Sequence, residues 1–119
     1  MKKTRINKQK IIVVSVLIVI FAVFIIWYLT MPDYENLARC LSSNNVTMYG
    51  TEWCTHCKAQ KKMFGDSFQY INFVDCDISK DVCEKEGIKG YPTWDIAGHK
   101  VAGELEAEAL SKLTGCPIK

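Results

Sequence analysis

Residues 11–29 contain no charged side chain, and the first ten residues contain no acidic one. The uncharged run is built from β-branched, Leu and Phe residues and closes on Trp27-Tyr28. A helix needs about 20 apolar residues to cross a bilayer, and this run meets that length. The tail ahead of it carries Lys2, Lys3, Arg5, Lys8 and Lys10 with no opposing charge. Basic flanks stay on the cytoplasmic side, so the N-terminus is expected inside and the rest outside the cell membrane, periplasmic or extracellular. No small-x-small cleavage site follows the run, which favours an uncleaved signal anchor over a removed signal peptide. The reading is a basic tail over 1–10, a single transmembrane segment over 11–30 and an exported domain over 31–119.

The exported part lacks a basic stripe with interleaved aromatics. It holds ten Lys/Arg against thirteen Asp/Glu, a net of −3, so the overall charge of +2 reports topology and not a nucleic-acid site. It also lacks internal repeats and low-complexity tracts. A second CxxC, or a close Cys/His pair at zinc-ribbon spacing, is missing too, which weighs against zinc as the rival use of the sulfurs. No metal or other cofactor is expected. About 90 residues suffice for one small domain but not for a large core, and such a domain gains from covalent staples.

Cysteine is plentiful. Cys40, Cys54, Cys57, Cys76, Cys83 and Cys116 all lie beyond the apolar run, and their number is even. In an oxidising compartment that reads as three potential pairs. Cys54-Thr55-His56-Cys57 follows a β-type run, Val46-Thr47-Met48-Tyr49, and opens a helix. Two thiols at this spacing can close a short disulfide, and a helix N-terminus beside them favours thiolate through its dipole and free N–H groups. Thiol–disulfide exchange is therefore the leading reading. The other four cysteines allow three pairings. The favoured one joins Cys76 to Cys83, bridging a strand end to the next helix across a short loop. Cys40 and Cys116 would then tie the first and last helices of the domain.

Hydrophobic spacing gives the remaining elements. Met31-Pro32 breaks the first helix, and Asp33 caps a second to about residue 42 with Tyr34, Leu37, Ala38 and Leu41 on one face. A strand over 46–49 leads through Gly50-Thr51-Glu52-Trp53 into a helix from about Thr55 to Gly65, with Lys58, Lys61 and Lys62 exposed. Residues 70–74 read as a strand and 79–86 as a short helix ending at Gly87. Residues 93–97 and 100–102 form a hairpin around Gly98-His99. The last helix runs from Glu104 to Thr114 with Leu105, Ala109, Leu110 and Leu113 as its stripe. This order implies an α/β domain with a mixed sheet of about four strands flanked by helices.

Gly87-Ile88-Lys89-Gly90-Tyr91-Pro92-Thr93 places a proline just before a strand, the signature of a cis bond at Tyr91–Pro92. With the strand-loop-CxxC-helix unit, it resembles the thioredoxin family. Trp53-Cys54-Thr55-His56-Cys57 matches the active-site motif and Gly90-Tyr91-Pro92-Thr93 the cis-proline motif. The resemblance implies that Cys54 and Cys57 are the redox pair, and that Tyr91, Pro92 and Thr93 offer backbone to an incoming peptide while Trp53 flanks the cleft. Residues 48–57, Lys61-Lys62-Met63-Phe64-Gly65, Val74-Asp75-Cys76-Asp77 and residues 87–94 look like the thioredoxin-like domain of bacterial vitamin K epoxide reductase homologues. That domain passes electrons from substrate thiols to a quinone-linked membrane enzyme. Here that enzyme would be a separate partner, because one spanning segment cannot supply the four-helix quinone-binding portion.

The direction of electron flow rests on two positions. His56 beside the second cysteine resembles disulfide oxidases and isomerases, where a histidine donates to or charge-pairs with the first thiolate. Stabilising the reduced form makes a better oxidant. The family's buried acid, six residues before the first cysteine, falls on Met48, which speaks against an efficient reductase. Glu52 acting through water is the alternative proton acceptor. The expected function is a membrane-anchored oxidoreductase that donates disulfides to cysteine-containing exported proteins. A membrane-tethered reductase or isomerase using the same residues is one alternative. A non-enzymatic, disulfide-stapled binding module is another. His99, in its Gly-His-Lys turn, is read as solvated and without a role.

Overall fold

A computed structural model describes residues 7–119. Lys2, Lys3 and Arg5 of the basic tail lie outside the described residues. The chain divides after Pro32 into two compact units.

The first unit is one helix, α1 (Lys8–Thr30), opened by the Asn7 side chain accepting the Gln9 N–H. None of its side chains is buried. A helix of this length spans about 34 Å, and one that is apolar all round requires apolar surroundings. It is long and apolar enough to cross a membrane. Two of its hydroxyls bond back to the helix itself. Ser15 donates to the Ile12 carbonyl at 2.9 Å and Thr30 to that of Ile26 at 2.9 Å.

The second unit, Asp33–Lys119, starts with α2 (Glu35–Ser43), where the Asp33 carboxylate accepts the Glu35 N–H at 2.9 Å. Leu37, Ala38 and Leu41 are fully buried. Then come β1 (Thr47–Gly50), α3 (Thr55–Phe64), a 3₁₀ turn over Gly65–Tyr70, β2 (Asn72–Asp75), α4 (Lys80–Lys85), β3 (Thr93–Ile96), β4 (His99–Ala102) and α5 (Ala107–Thr114). The sheet order is β2-β1-β3-β4, with β1 parallel to β2 and antiparallel to β3, and β3 antiparallel to β4.

Strand alternation divides the core. Met48 pairs in register with Phe73 and Trp94, and this face meets Leu37, Leu41, Phe64 and Leu110 from α2, α3 and α5. The opposite face is smaller: Tyr49 packs with Cys76, Cys83, Val74 and Ile88. Burying a Leu or Met side chain stabilises by about 2 kcal/mol, so the first face holds the larger share of the domain together.

Details that depart from the sequence reading include the second strand, which starts at Asn72 because Gly65–Tyr70 forms a 3₁₀ turn. The last helix begins at Ala107, because Leu105 is held extended by the Gln60 side chain, which accepts from its N–H at 2.7 Å and donates to its carbonyl at 2.9 Å. Its buried stripe is consequently Ala107 and Leu110, with Leu113 exposed. Lys61 is not free on the helix surface but half-buried, lying over Phe73. The hairpin turns on Ala97 and Gly98, both at positive φ (52° and 86°), so His99 is the first residue of β4.

Candidate active site

The β1-to-α3 junction carries the CxxC. Cys54 is extended (φ −68°, ψ 122°) and caps α3 with its own sulfur, which accepts the Cys57 N–H at 3.3 Å. Its carbonyl accepts the Lys58 N–H at 3.0 Å, the first full turn of the helix. The cap gives Cys54 Sγ a backbone donor at the N-terminal end of the helix. Cys54 retains slight exposure, whereas Cys57 has none.

Gly50 explains how Cys57 fits. A Cβ at position 50 would stand 2.7 Å from Cys57 Sγ and 3.2 Å from the ring of Phe73. Glycine at the strand end is what lets the helix seat its second cysteine there. Burial and the adjacent Cys54 sulfur push the Cys57 thiol up to about 12, with the Thr51 amide and the charge of Lys61 pulling the other way. At neutral pH Cys57 is therefore a protonated thiol. The linkage has a definite sign. Between about 9 and about 12 the folded dithiol keeps a proton that the unfolded chain has released, so stability falls as pH rises through that window. The bridged form has no Cys57 thiol and lacks this loss. Denaturant titrations at pH 7.5 and pH 10, with the other two disulfides left closed, should show the dithiol form losing stability relative to the bridged form. Parallel behaviour of the two forms would refute the assignment.

The loop before β3 closes the other side. The Tyr91–Pro92 peptide is cis. Cys54 Sγ lies 3.6 Å from the Tyr91 carbonyl. Pro92 and Thr93 are buried, and the Thr93 hydroxyl donates to the Gly90 carbonyl at 2.7 Å. Trp53 is largely exposed, packs edge-on against Tyr91 with centroids 6.2 Å apart, and donates its indole N–H to Asp77 at 2.6 Å. The Cys54 sulfur thus has a backbone acceptor from Tyr91, whose ring in turn packs against Trp53.

His56 stands differently from expectation. Among the described residues its side-chain hydrogen bond joins Nδ1 to Glu104, at 2.5 Å, and not to Cys54. Met48 is fully buried and paired with Trp94, so it puts no acid behind Cys57. Glu52 is bound to Lys61. The remaining sulfurs are bonded as Cys40–Cys116 and Cys76–Cys83. Cys54 and Cys57 are the two free thiols. No group of three or more His, Cys, Asp or Glu suited to a metal ion is found among the described residues.

Sequence reasoning missed Gly50, Gln60 and Glu104 as supporting residues. Gln60 had a local signal, being a polar residue one turn past Cys57 on the buried side of an amphipathic helix. Fully enclosed, it also accepts the Trp94 indole N–H at 3.2 Å. Glu104 had none, since its partner is 48 residues away.

The chain is similar to several known proteins. The family model described as Thioredoxin matches residues 27–114. A thiol-disulfide oxidoreductase of Arabidopsis thaliana is 38% identical over 89 residues, covering 66% of this chain and 23% of that protein. Protein disulfide isomerase-like 2-2 of Oryza sativa subsp. japonica is 40% identical over 74 residues, covering 50% of this chain and 20% of its own length. The chain thus spans less than a quarter of the length of these curated relatives. Among solved structures, a thioredoxin from Nicotiana alata aligns with a TM-score of 0.42 and 21% identity, covering 56% of this chain and 66% of that one. With the family model matched over most of the chain, around a CxxC that caps a helix beside a cis-proline, the chain belongs to the thioredoxin family.

Proposed function

We propose that this chain is a membrane-anchored thiol–disulfide oxidoreductase that donates the Cys54–Cys57 disulfide to the thiols of exported proteins. The carrying observation is that, in a domain whose other sulfurs are all bonded, the two free ones sit three residues apart at the start of α3, with Cys54 beside the Tyr91 carbonyl. A client thiolate attacks Cys54 Sγ of the oxidised pair. The Cys54–Cys57 bond breaks, a client–Cys54 bond forms, and Cys57 leaves and takes up a proton. A second client thiolate then attacks the client sulfur of that mixed disulfide and releases Cys54. The client has lost two electrons and the pair holds them. A quinone-linked membrane enzyme resembling vitamin K epoxide reductase is the oxidant that would remove them.

Burial first, and then the neighbouring Cys54 sulfur, hold Cys57 as the neutral thiol in the reduced pair, so it is the sulfur that takes up a proton when the bridge opens. Tyr91, Pro92 and Thr93 would hold the client backbone, with Trp53 as a wall. The basic flank, of which Lys8 and Lys10 are described, and the placement of every cysteine beyond α1 support a cytoplasmic N-terminus. Equilibration of the full chain in detergent against glutathione tests the direction. A donor should show a potential above about −200 mV and oxidise a reduced client. A value near about −270 mV would overturn donation in favour of reduction.

A further inference from the structure

Lys58, Lys61 and Lys62 lie on the same helix, yet Lys61 alone is drawn inward. Its side chain is 21% exposed, although the Glu52 carboxylate that holds it is 68% exposed. Its ammonium lies 2.5 Å from Glu52 Oε1, 4.2 Å from the centre of the Phe73 ring and 5.4 Å from that of Phe68. Lys61 is one turn past Cys57, on the same side of α3. The Phe73 ring and Cys57 Sγ both border the empty Cβ position of Gly50. A fixed cation is therefore held over an aromatic ring that packs beside the buried sulfur.

We infer that Lys61, held by Glu52, is the positioning residue whose charge sets the rate at which Cys57 leaves and re-forms the bridge. This rests on the exchange reading above. In either direction Cys57 Sγ passes through a state carrying part of a negative charge inside the protein. Water cannot reach it, and Met48 and Phe73 offer no charge. A preorganised cation in a partly dewatered place lowers the energy of that state. The other charged groups on the surrounding elements are engaged elsewhere or lie outside. Glu104 is on His56, Asp77 is on Trp53, and Lys58 is exposed. Asp75 stands in register with Gly50 at the end of β2. The pull of Lys61 on the Cys57 thiol is in the required direction. The step balances without another reactant. Cys54–S–S–glutathione and the Cys57 thiol give the Cys54–Cys57 bridge and glutathione, the Cys57 proton ending on the departing glutathione sulfur.

The test is acid-quenched kinetics on the full chain in detergent, with glutathione as the probe, between pH 6 and pH 9. Bridge closure from the Cys54–glutathione adduct and bridge opening by glutathione are both followed. Lys61→Met keeps the apolar stem over Phe73 and Lys61→Gln does not; both should slow closure and opening about threefold to tenfold, a size suited to a partly exposed charge. The closure profile should move to higher pH. The equilibrium constant should stay within about twofold, because Cys57 is protonated in the reduced protein. Lys61→Arg should restore the rates, and Lys62→Gln should leave them unchanged. Wild-type rates in Lys61→Met, or equal slowing in Lys62→Gln, would overturn the role of Lys61 alone. A wild-type chain that forms no glutathione adduct would overturn the exchange reading and this assignment together.

Discussion

Client proteins should accumulate covalently on Cys54 when Cys57 is replaced by alanine, and vanish from the chain when Cys54 is replaced instead. Cys54 is the slightly exposed sulfur, and it faces the Tyr91 carbonyl. Cys57 is sealed behind it against Gly50 and Phe73. An incoming client can therefore bond only to Cys54, and Cys57 is the internal group able to expel it. Without that group a mixed disulfide ends only when a second thiol reaches it, so a transient species should become the predominant one. The alanine removes one buried sulfur, a loss of about 1 kcal/mol, too small to unfold the domain. The readout is a non-reducing separation of membranes expressing each variant, followed by identification of what dithiothreitol releases. Recovery of nothing from Cys57→Ala membranes would reject exchange and leave the stapled binding module standing. The Cys57→Ala chain has no bridge to donate, so its mixed disulfide forms when the Cys54 thiolate attacks a client disulfide and displaces one client sulfur, and the trap tests exchange at Cys54 and not its direction.

Much of the architecture was readable because local and tertiary forces agree. The stripe Leu37, Ala38 and Leu41 gives α2, and these residues are all fully buried. The uncharged run gives α1, whose Ser15 and Thr30 hydroxyls bond within the helix. Alternation in β1 puts Met48 and Tyr49 on opposite faces, where two unequal cores form. The failures have tertiary causes. Glu104 and Leu105 continue the helical spacing of α5, but the Gln60 amide claims both backbone groups of Leu105 and the chain stays extended there. Lys61 reads as a solvated lysine by pattern, yet Phe73, twelve residues on and in another element, gives its stem and charge a surface to cover. His56 likewise took a partner that no local pattern announces. Such contacts depend on where two distant segments meet, and hydrophobic period carries no information about that.

Opening Cys40–Cys116 should cost this domain more stability than opening Cys76–Cys83, and the reason lies in the unfolded chain. The first bridge joins residues 76 apart and the second residues 7 apart. On the loop-entropy account the longer closure is worth about 4.5 kcal/mol and the shorter about 2.5 kcal/mol. A domain of this size has a total stability of about 5 to 10 kcal/mol. Losing the long bridge therefore removes about half of it or more. The native contacts add to the asymmetry, because the bridge fastens α2 to the segment after α5, and Cys116 is buried with the larger core. Asn44 also donates toward both of its sulfurs, at 3.4 and 3.5 Å, and would lose those partners. The double replacement Cys40→Ala with Cys116→Ala should lower the denaturation midpoint of the full chain in detergent about twice as far as Cys76→Ala with Cys83→Ala. The second pair should instead act near the site. Asp77, inside its loop, holds the Trp53 indole, so loosening the loop should disturb exchange at Cys54 more than it disturbs the fold. Equal midpoints for the two double variants would mean that the unfolded chain keeps residues 40 and 116 close without the bond, and that loop length is not what makes this bridge stabilising.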